Sequence, residues 1–375
     1  MTLINYLNRV HFADNILEEA LWAELDQRAG RNVFVLSDPG HLGGDLAERF
    51  RAGLPLPKRV HAFSDPVDFP TEARARDLAA RYRALGCELI VAFGPGAVIN
   101  LTKVVRLLVS QSRPLCELAE TEGGGLRIPQ AMPDMIAVPT LRGFASGLCG
   151  HASVRLEDGQ SIDLASPALI PTVTICDPTL IAATPPHIQA SAACAAIARC
   201  IEALWSPNYN PPADGIALDG LTRALRGLGR AVGTFDAEAR RDLMAASLNA
   251  ALVQQKGLGL IHAIGCALEA VTPGPLDRGA VARLLLPETL RCYDAAGLAQ
   301  PKALQDALVP VGGGTAEALR SHLAGLPLPA RLSDMGVLPD RLDRAAAIAA
   351  RHRALNNAPH RPASGEIRAM LGTME

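Results

Sequence analysis

Two short apolar runs constrain this chain more than anything else in it. Residues 88–93 read ELIVAF and residues 134–140 read DMIAVPT. Neither alternates apolar with polar residues, as a strand with one wet face does, and both are too short for a buried helix. Runs of this kind are strands covered on both faces, the mark of a parallel sheet packed between helices. A third run, Arg31–Ser37 (RNVFVLS), ends at the turn signal Asp38-Pro39-Gly40. Helical patterns over 16–28, 45–52 and 71–85 are interleaved with these strands. The β-α-β-α alternation predicts an α/β domain.

After Asp177-Pro178 the character changes. The segments 187–205, 215–232, 237–269, 303–308 and 342–355 are Ala- and Leu-rich, broken by Pro and Gly, with no strand-like run longer than a few residues. A chain of 375 residues exceeds one hydrophobic core. An α/β domain over 1–180 and an all-helical domain over 181–375 are therefore expected.

Charge excludes some functions. Lys plus Arg number 36 and Asp plus Glu 38, a formal net charge of −2. Such a balance argues against a surface that attracts nucleic acid. The N-terminal residues carry no signal-peptide pattern, and no run reaches the length of a membrane helix; the longest contenders lie at 89–99 and 258–268. A cytoplasmic protein without membrane partners is the expectation. Eight cysteines, none in CxxC spacing, are scattered singly through apolar segments and read as free thiols.

Four places could carry chemistry. Gly94-Pro95-Gly96-Ala97 leaves a buried strand and opens a helix, so its amides suit a phosphate; a plain tight turn has the same sequence. Asp38 follows the first strand and suits a ribose diol, or the cap of the next helix. His262 lies in GLGLIHAIGCAL, where a satisfied core histidine is the competing reading. Cys266, four positions on, forms with it at most a two-ligand fragment for zinc. Arg199 sits in the Ala-rich segment SAACAAIARCIEAL, with Glu202 three positions on as a structural ion-pair partner. Arg278 and Arg283, in LDRGAVARLLLP, admit the same structural reading.

Taken in order, these segments resemble the iron-containing (group III) alcohol dehydrogenase family, including its maleylacetate reductase branch, over nearly the whole chain. GPGAVINLTK stands where that family has GGGSxxDxAK, and AVPTLRGFASG where it has a PTTxGTGSE-like loop. ASAACAAIARCIEALWSP resembles its GxDAxxHAxEA helix, and GLGLIHAIGCALE its GLxHAxAHxLG segment. The resemblance implies an N-terminal nucleotide-binding domain, a helical C-terminal domain and a cleft between them. It also implies NAD or NADP, a small-molecule substrate, and a homodimer formed through the N-terminal strand edge, here Leu3–Phe12.

The departures matter as much. The family's four metal ligands, one Asp and three His, are matched here by Ala195, Arg199, His262 and Arg278, and a further His by Cys266. Arginine does not ligate metals, because its guanidinium stays protonated. No bound metal is therefore expected. On the cofactor side Gly94, Gly96, Thr140 and Ser146 agree with the family, whereas Ala97 replaces a Ser and Asn100 an Asp. Asp38 favours NAD, since a 2′-phosphate beside a carboxylate is repelled. A metal-independent reductase is the expectation, with Arg199 and Arg278 supplying positive charge, His262 a proton and Cys266 completing the site. A non-redox enzyme on the same scaffold, or a binding protein that has lost the chemistry, are the alternatives.

Overall fold

The computed structural model describes residues 8–30, 32–39, 44–55, 58–64, 67–231 and 236–375. The chain divides into two compact units, with the division between Ala183 and Thr184.

The first unit is a parallel sheet between helices. Its elements run β1 (Arg9–Phe12), α1 (Leu17–Asp26), β2 (Asn32–Ser37), α2 (Gly44–Ala52), β3 (Arg59–Ser64), α3 (Glu72–Ala84), β4 (Leu89–Gly94), α4 (Gly96–Ser110), β5 (Asp134–Pro139), β6 (His151–Arg155), β7 (Ser161–Ala165) and β8 (Val173–Cys176). Six strands form one sheet in the order β1-β8-β5-β4-β2-β3, every pair parallel, while β6 and β7 form a separate antiparallel hairpin. The apolar runs are covered on both faces, as their pattern requires. Phe34, Leu36, Ile90 and Ala92 pack into one core with α3 and α4 residues such as Leu78 and Val98. Val33, Val35, Val91 and Phe93 pack on the other side with Leu17, Leu21 and Phe50.

Two buried carboxylates fasten this unit. Asp177, fully buried just past β8, accepts from the backbone N–H groups of Asn15 (3.0 Å) and Leu17 (3.2 Å) and from Arg49 Nη2 (2.8 Å). It thus ties the end of β8 to the start of α1 and to α2. Glu24 of α1 accepts from Arg9 (2.9 Å) and Arg28 (2.7 Å) and meets His11 Nε2 at 2.6 Å.

The second unit is helical: α5 (Pro186–Trp205), α6 (Pro211–Ala231), α7 (Ala237–Leu252), α8 (Leu260–Val271), α9 (Arg278–Ala295), α10 (Lys302–Leu308), α11 (Ala316–Leu323), α12 (Leu342–Ala350) and α13 (Ser364–Gly372). The stretch 237–269, which reads as one helix, is two. It breaks at Gly257, whose φ of +99° no helix accommodates. The stretch 342–355 also ends early, because His352 begins a new short turn over Arg353–Asn357. Among the described residues one helix, α5, is long and apolar enough to cross a membrane, and 72% of that window is buried, as in a core helix. The proposed dimer segment falls partly outside the described residues, at 3–7; residues 9–12 of it form the edge strand β1.

Candidate active site

The sheet order sets a first candidate site, in the α/β unit. From β2 the chain goes out to β3 and then returns to place β4 on the other side of β2. In a parallel sheet, ligands bind beyond the carboxyl ends of the strands at such a reversal. The register makes these ends level: Ser37 pairs with Phe93, and Gly94 with Pro139. Asp38, Gly94 to Ala97 and Thr140 therefore leave the sheet side by side. The nearest atom to a Cβ added at Gly94 would be Asp38 Cβ, at 3.5 Å.

Backbone contact shapes this corner. The Gly96 N–H donates to the Arg142 carbonyl at 2.8 Å, and the Thr140 N–H to the Gly94 carbonyl at 3.0 Å. A Cβ at Gly96 would lie 2.4 Å from the Gly143 carbonyl oxygen, so both positions need glycine, and Gly143 also has φ +68°. One amide of the turn is thus already used and is not left for a phosphate. Ala97 and Ser146 are half-buried around it. Nearby, the Asn100 Oδ1 atom is buried with no hydrogen-bond partner. The sequence pointed to Gly96 but not to Gly143, because the contact joins two loops.

A separate cluster lies in the helical unit. His262, Cys266 and Glu269 occupy one half-exposed stripe of the mostly buried α8, spaced i, i+4 and i+7. His262 Nε2 stands 3.5 Å from Cys266 Sγ. Arg278, the first residue of α9, donates from Nη2 to the same sulfur at 2.9 Å, and its Nε is 3.7 Å from Glu269. His352 also hydrogen-bonds the sulfur. Its Nδ1 accepts from the Ala354 N–H at 3.1 Å, which places the proton of the neutral ring on Nε2. Arg278 and His352 thus donate to one sulfur, with the His262 ring beside it. Burial alone would push the Cys266 thiol up, but Arg278 and the two histidines outweigh it and hold the thiol well below the ordinary cysteine range. Burial likewise works against a charged His262 ring; Cys266 overcomes it and raises the ring.

Glu202 fixes the start of α8. Its buried carboxylate accepts from the His262 N–H at 3.0 Å and from the Gly259 and Ile261 amides, so it is a helix cap first, and burial raises its pKa. On α5, Ser191, Ala195 and Arg199 are partly exposed along one face, and the buried Glu202 follows them on it. Ser191 bonds Asp277, the cap of α9, at 2.5 Å, while Glu202 bonds α8. Arg199 lies between these two contacts. Arg283, by contrast, donates to the Leu323, Leu328 and Pro329 carbonyls and is structural.

Among the described residues, His262, Cys266 and His352 form one group whose metal-ligating atoms lie within 4.8 Å of one another. The sequence reading missed His352, which lies far along the chain and carries no local motif. As a donor set this group fits a metal poorly. The Nδ1 lone pair of His352 is engaged by Ala354, its Nε2 carries the proton, and a guanidinium already stands against the sulfur. Ala195, Arg199 and Arg278 offer no ligand atom.

The sequence model of the iron-containing alcohol dehydrogenases matches residues 8–178, and that of the C-terminal part of the Fe-containing alcohol dehydrogenase family matches residues 189–374. The 4-hydroxybutyrate dehydrogenase of Cupriavidus necator is 33% identical over 385 aligned residues, 99% of each chain. The maleylacetate reductase of Rhizobium sp. (strain MTP-10005) is 29% identical, over 87% of this chain and 85% of its own. Among solved structures, the sulfoacetaldehyde reductase of Bifidobacterium kashiwanohense in complex with NAD+ shares the fold at a TM-score of 0.85 and 20% identity, covering 100% of this chain and 98% of its own.

Proposed function

Because the chain belongs to the iron-containing alcohol dehydrogenase family, we propose that it is an NAD-dependent, metal-independent oxidoreductase. Its substrate is a small acid that carries an alcohol or a carbonyl group, such as 4-hydroxybutyrate and its aldehyde. The relatives' names support the acidic substrate, since hydroxybutyrate, maleylacetate and sulfoacetaldehyde each carry an acid group. NAD, when bound, accepts or returns the hydride. Asp38 would hold its ribose diol, the Gly94 to Ala97 turn its pyrophosphate, and Thr140 and Ser146 the rest of its path.

The observation that carries the metal-independent reading is the Arg278 guanidinium at 2.9 Å from Cys266, beside His262. A fixed cation and a titratable ring share one partly buried cluster. In this family's chemistry a metal polarises the substrate oxygen. A guanidinium supplies charge to the same oxygen without a ligand set, and with Arg199 it matches a carboxylate. His262 exchanges the proton with the oxygen. Cys266 holds Arg278 in place. A homodimer and a cytoplasmic setting complete the reading.

Calorimetric titration with NADH and then NADPH tests it first. NADH binding tighter than NADPH is expected, followed by NADH-dependent reduction of succinic semialdehyde in the presence of EDTA. No binding of either nucleotide at millimolar concentration overturns the redox reading. Activity that needs an added divalent metal overturns metal independence.

A further inference from the structure

A cleft lined by three arginines lies in the α/β unit, away from the cofactor corner. Arg76, Ala79 and Arg83 share one face of α3, spaced i, i+3 and i+7, and face the end of α4 and the turn after it, with Leu108, Ser112 and Arg113. The cleft measures about 220 Å³, and among the described residues no carboxylate lines it. Helices of a parallel sheet run against its strands, so α3 and α4 end toward the amino end of β4. The corner of Asp38, Gly94 and Thr140 lies at the other end of that six-residue strand, about 20 Å away.

Each guanidinium is anchored on one side. Arg76 donates from Nε and Nη2 to Glu72 Oε1, at 3.1 and 2.5 Å, and Glu72 Oε2 accepts in turn from the Glu157 N–H at 3.3 Å. Arg83 Nη2 donates to the Leu108 carbonyl. Arg113 belongs to a turn closed by Gln111, whose Oε1 accepts from the Arg113 N–H at 2.5 Å and whose Nε2 donates to the Arg113 carbonyl at 3.4 Å. These bonds use at most two of the five N–H groups that a guanidinium offers. Helix carboxyl ends attract cations, and Arg83 on the Leu108 carbonyl serves that use. It does not account for Arg113, which lies beyond the helix with Glu117 3.8 Å away at the surface. Nor does the Glu72 pair explain three like charges around one cleft, which repel one another until an anion sits between them.

We propose that this cleft binds a chain of two or three phosphates, inorganic or carried by a nucleotide. Guanidinium forks match phosphate oxygens in pairs. Three such forks around one small cleft suit several linked phosphates better than a single carboxylate. The inference is independent of the proposed redox function: it uses no residue of the cofactor corner and needs no nicotinamide.

Calorimetric titration of the full chain with sodium tripolyphosphate, in magnesium-free buffer of low ionic strength, tests it. Saturable binding of one equivalent per chain is expected, at least about tenfold tighter than that of inorganic phosphate. Arg113→Gln and Arg76→Gln should each weaken it about tenfold, with the circular dichroism spectrum unchanged, since both side chains are exposed. Added NADH should not displace it. ATP bound as tightly as tripolyphosphate assigns recognition to the phosphate chain alone; tighter ATP binding that weakens in Arg113→Gln assigns a nucleotide. No saturable binding, equal affinity for inorganic phosphate, displacement by NADH, or full affinity in both variants overturns the inference.

Discussion

The corner at the carboxyl ends of the sheet and the pocket of the helical unit are made of different materials. In the first, shape comes from backbone: level strand ends, the Gly96 amide on the Arg142 carbonyl, and Gly96 pressed against Gly143. In the second, everything of chemical interest is a side chain: His262, Cys266, Arg278 and His352 on rigid helices and one turn. A backbone corner cannot be altered without disturbing the sheet that presents it. A side-chain pocket can exchange every functional group while the helices stay where they are.

The contrast can be broken at either end. The largest effect is expected at the pocket. Arg278→Ala should lower kcat by about 10²–10³-fold, the usual cost of one oxyanion donor, with the circular dichroism spectrum and Tm unchanged. If the variant unfolds instead, the pocket is structural and the contrast fails.

Gly96→Ala comes next. Its Cβ would meet the Gly143 carbonyl oxygen at 2.4 Å, so a loss of about 1–3 kcal/mol in stability is expected, together with weaker NADH binding. Chemical denaturation with a calorimetric titration checks both. An unchanged midpoint would mean the 141–143 loop yields freely.

Acid sharpens the comparison by opposite signs. Burial opposes the Glu24 charge, yet Arg28, His11 and Arg9 outweigh it and bring its pKa from 4.5 to about 2; Asp177 is lowered in the same sense, by Thr179, Arg49 and backbone N–H groups working against burial. A carboxyl lowered by folding contributes stability that is complete above its unfolded value and is lost as pH falls through the folded one. The α/β unit should therefore lose amide-exchange protection between about pH 4.5 and 2. Glu202 is raised by burial, so protonation relieves a cost, and the amides of 259–262 should keep their protection through the first part of that descent. Parallel losses in both units would contradict this.

The smallest effect expected is none. Dialysis against EDTA should leave turnover and Tm where they were, and added Zn2+ or Fe2+ should not raise turnover. A metal-dependent gain would show that the group of His262, Cys266 and His352 binds a cation in spite of Arg278.

The sequence disclosed what local pattern can disclose. The β2, β4 and β5 runs were legible because burial on both faces leaves no polar residue to interrupt them. Strand β3, RVHAFS, was not, since its positions are only half-buried at the sheet edge. The hairpin of β6 and β7 was also missed, because its strands, HASVR and SIDLA, are short and half polar. The break at Gly257 hid inside a long Ala- and Leu-rich stretch, where a positive φ leaves no compositional trace. In the site, His262, Cys266 and Arg278 were legible through likeness to a family. Their meeting at one sulfur was not, because it joins two helices to a turn near residue 352.

That distance along the chain sets an order of events during synthesis. Every strand of the sheet is complete by Cys176, so the α/β unit can fold on the ribosome while the helices are still being made. The pocket cannot. His352 and the turn that orients it are synthesised after every strand and after helices α5 to α12. A nascent chain thus acquires the Gly96–Gly143 corner early and the His352 contact to Cys266 much later, and a transcript truncated before codon 352 would yield the first unit without that contact.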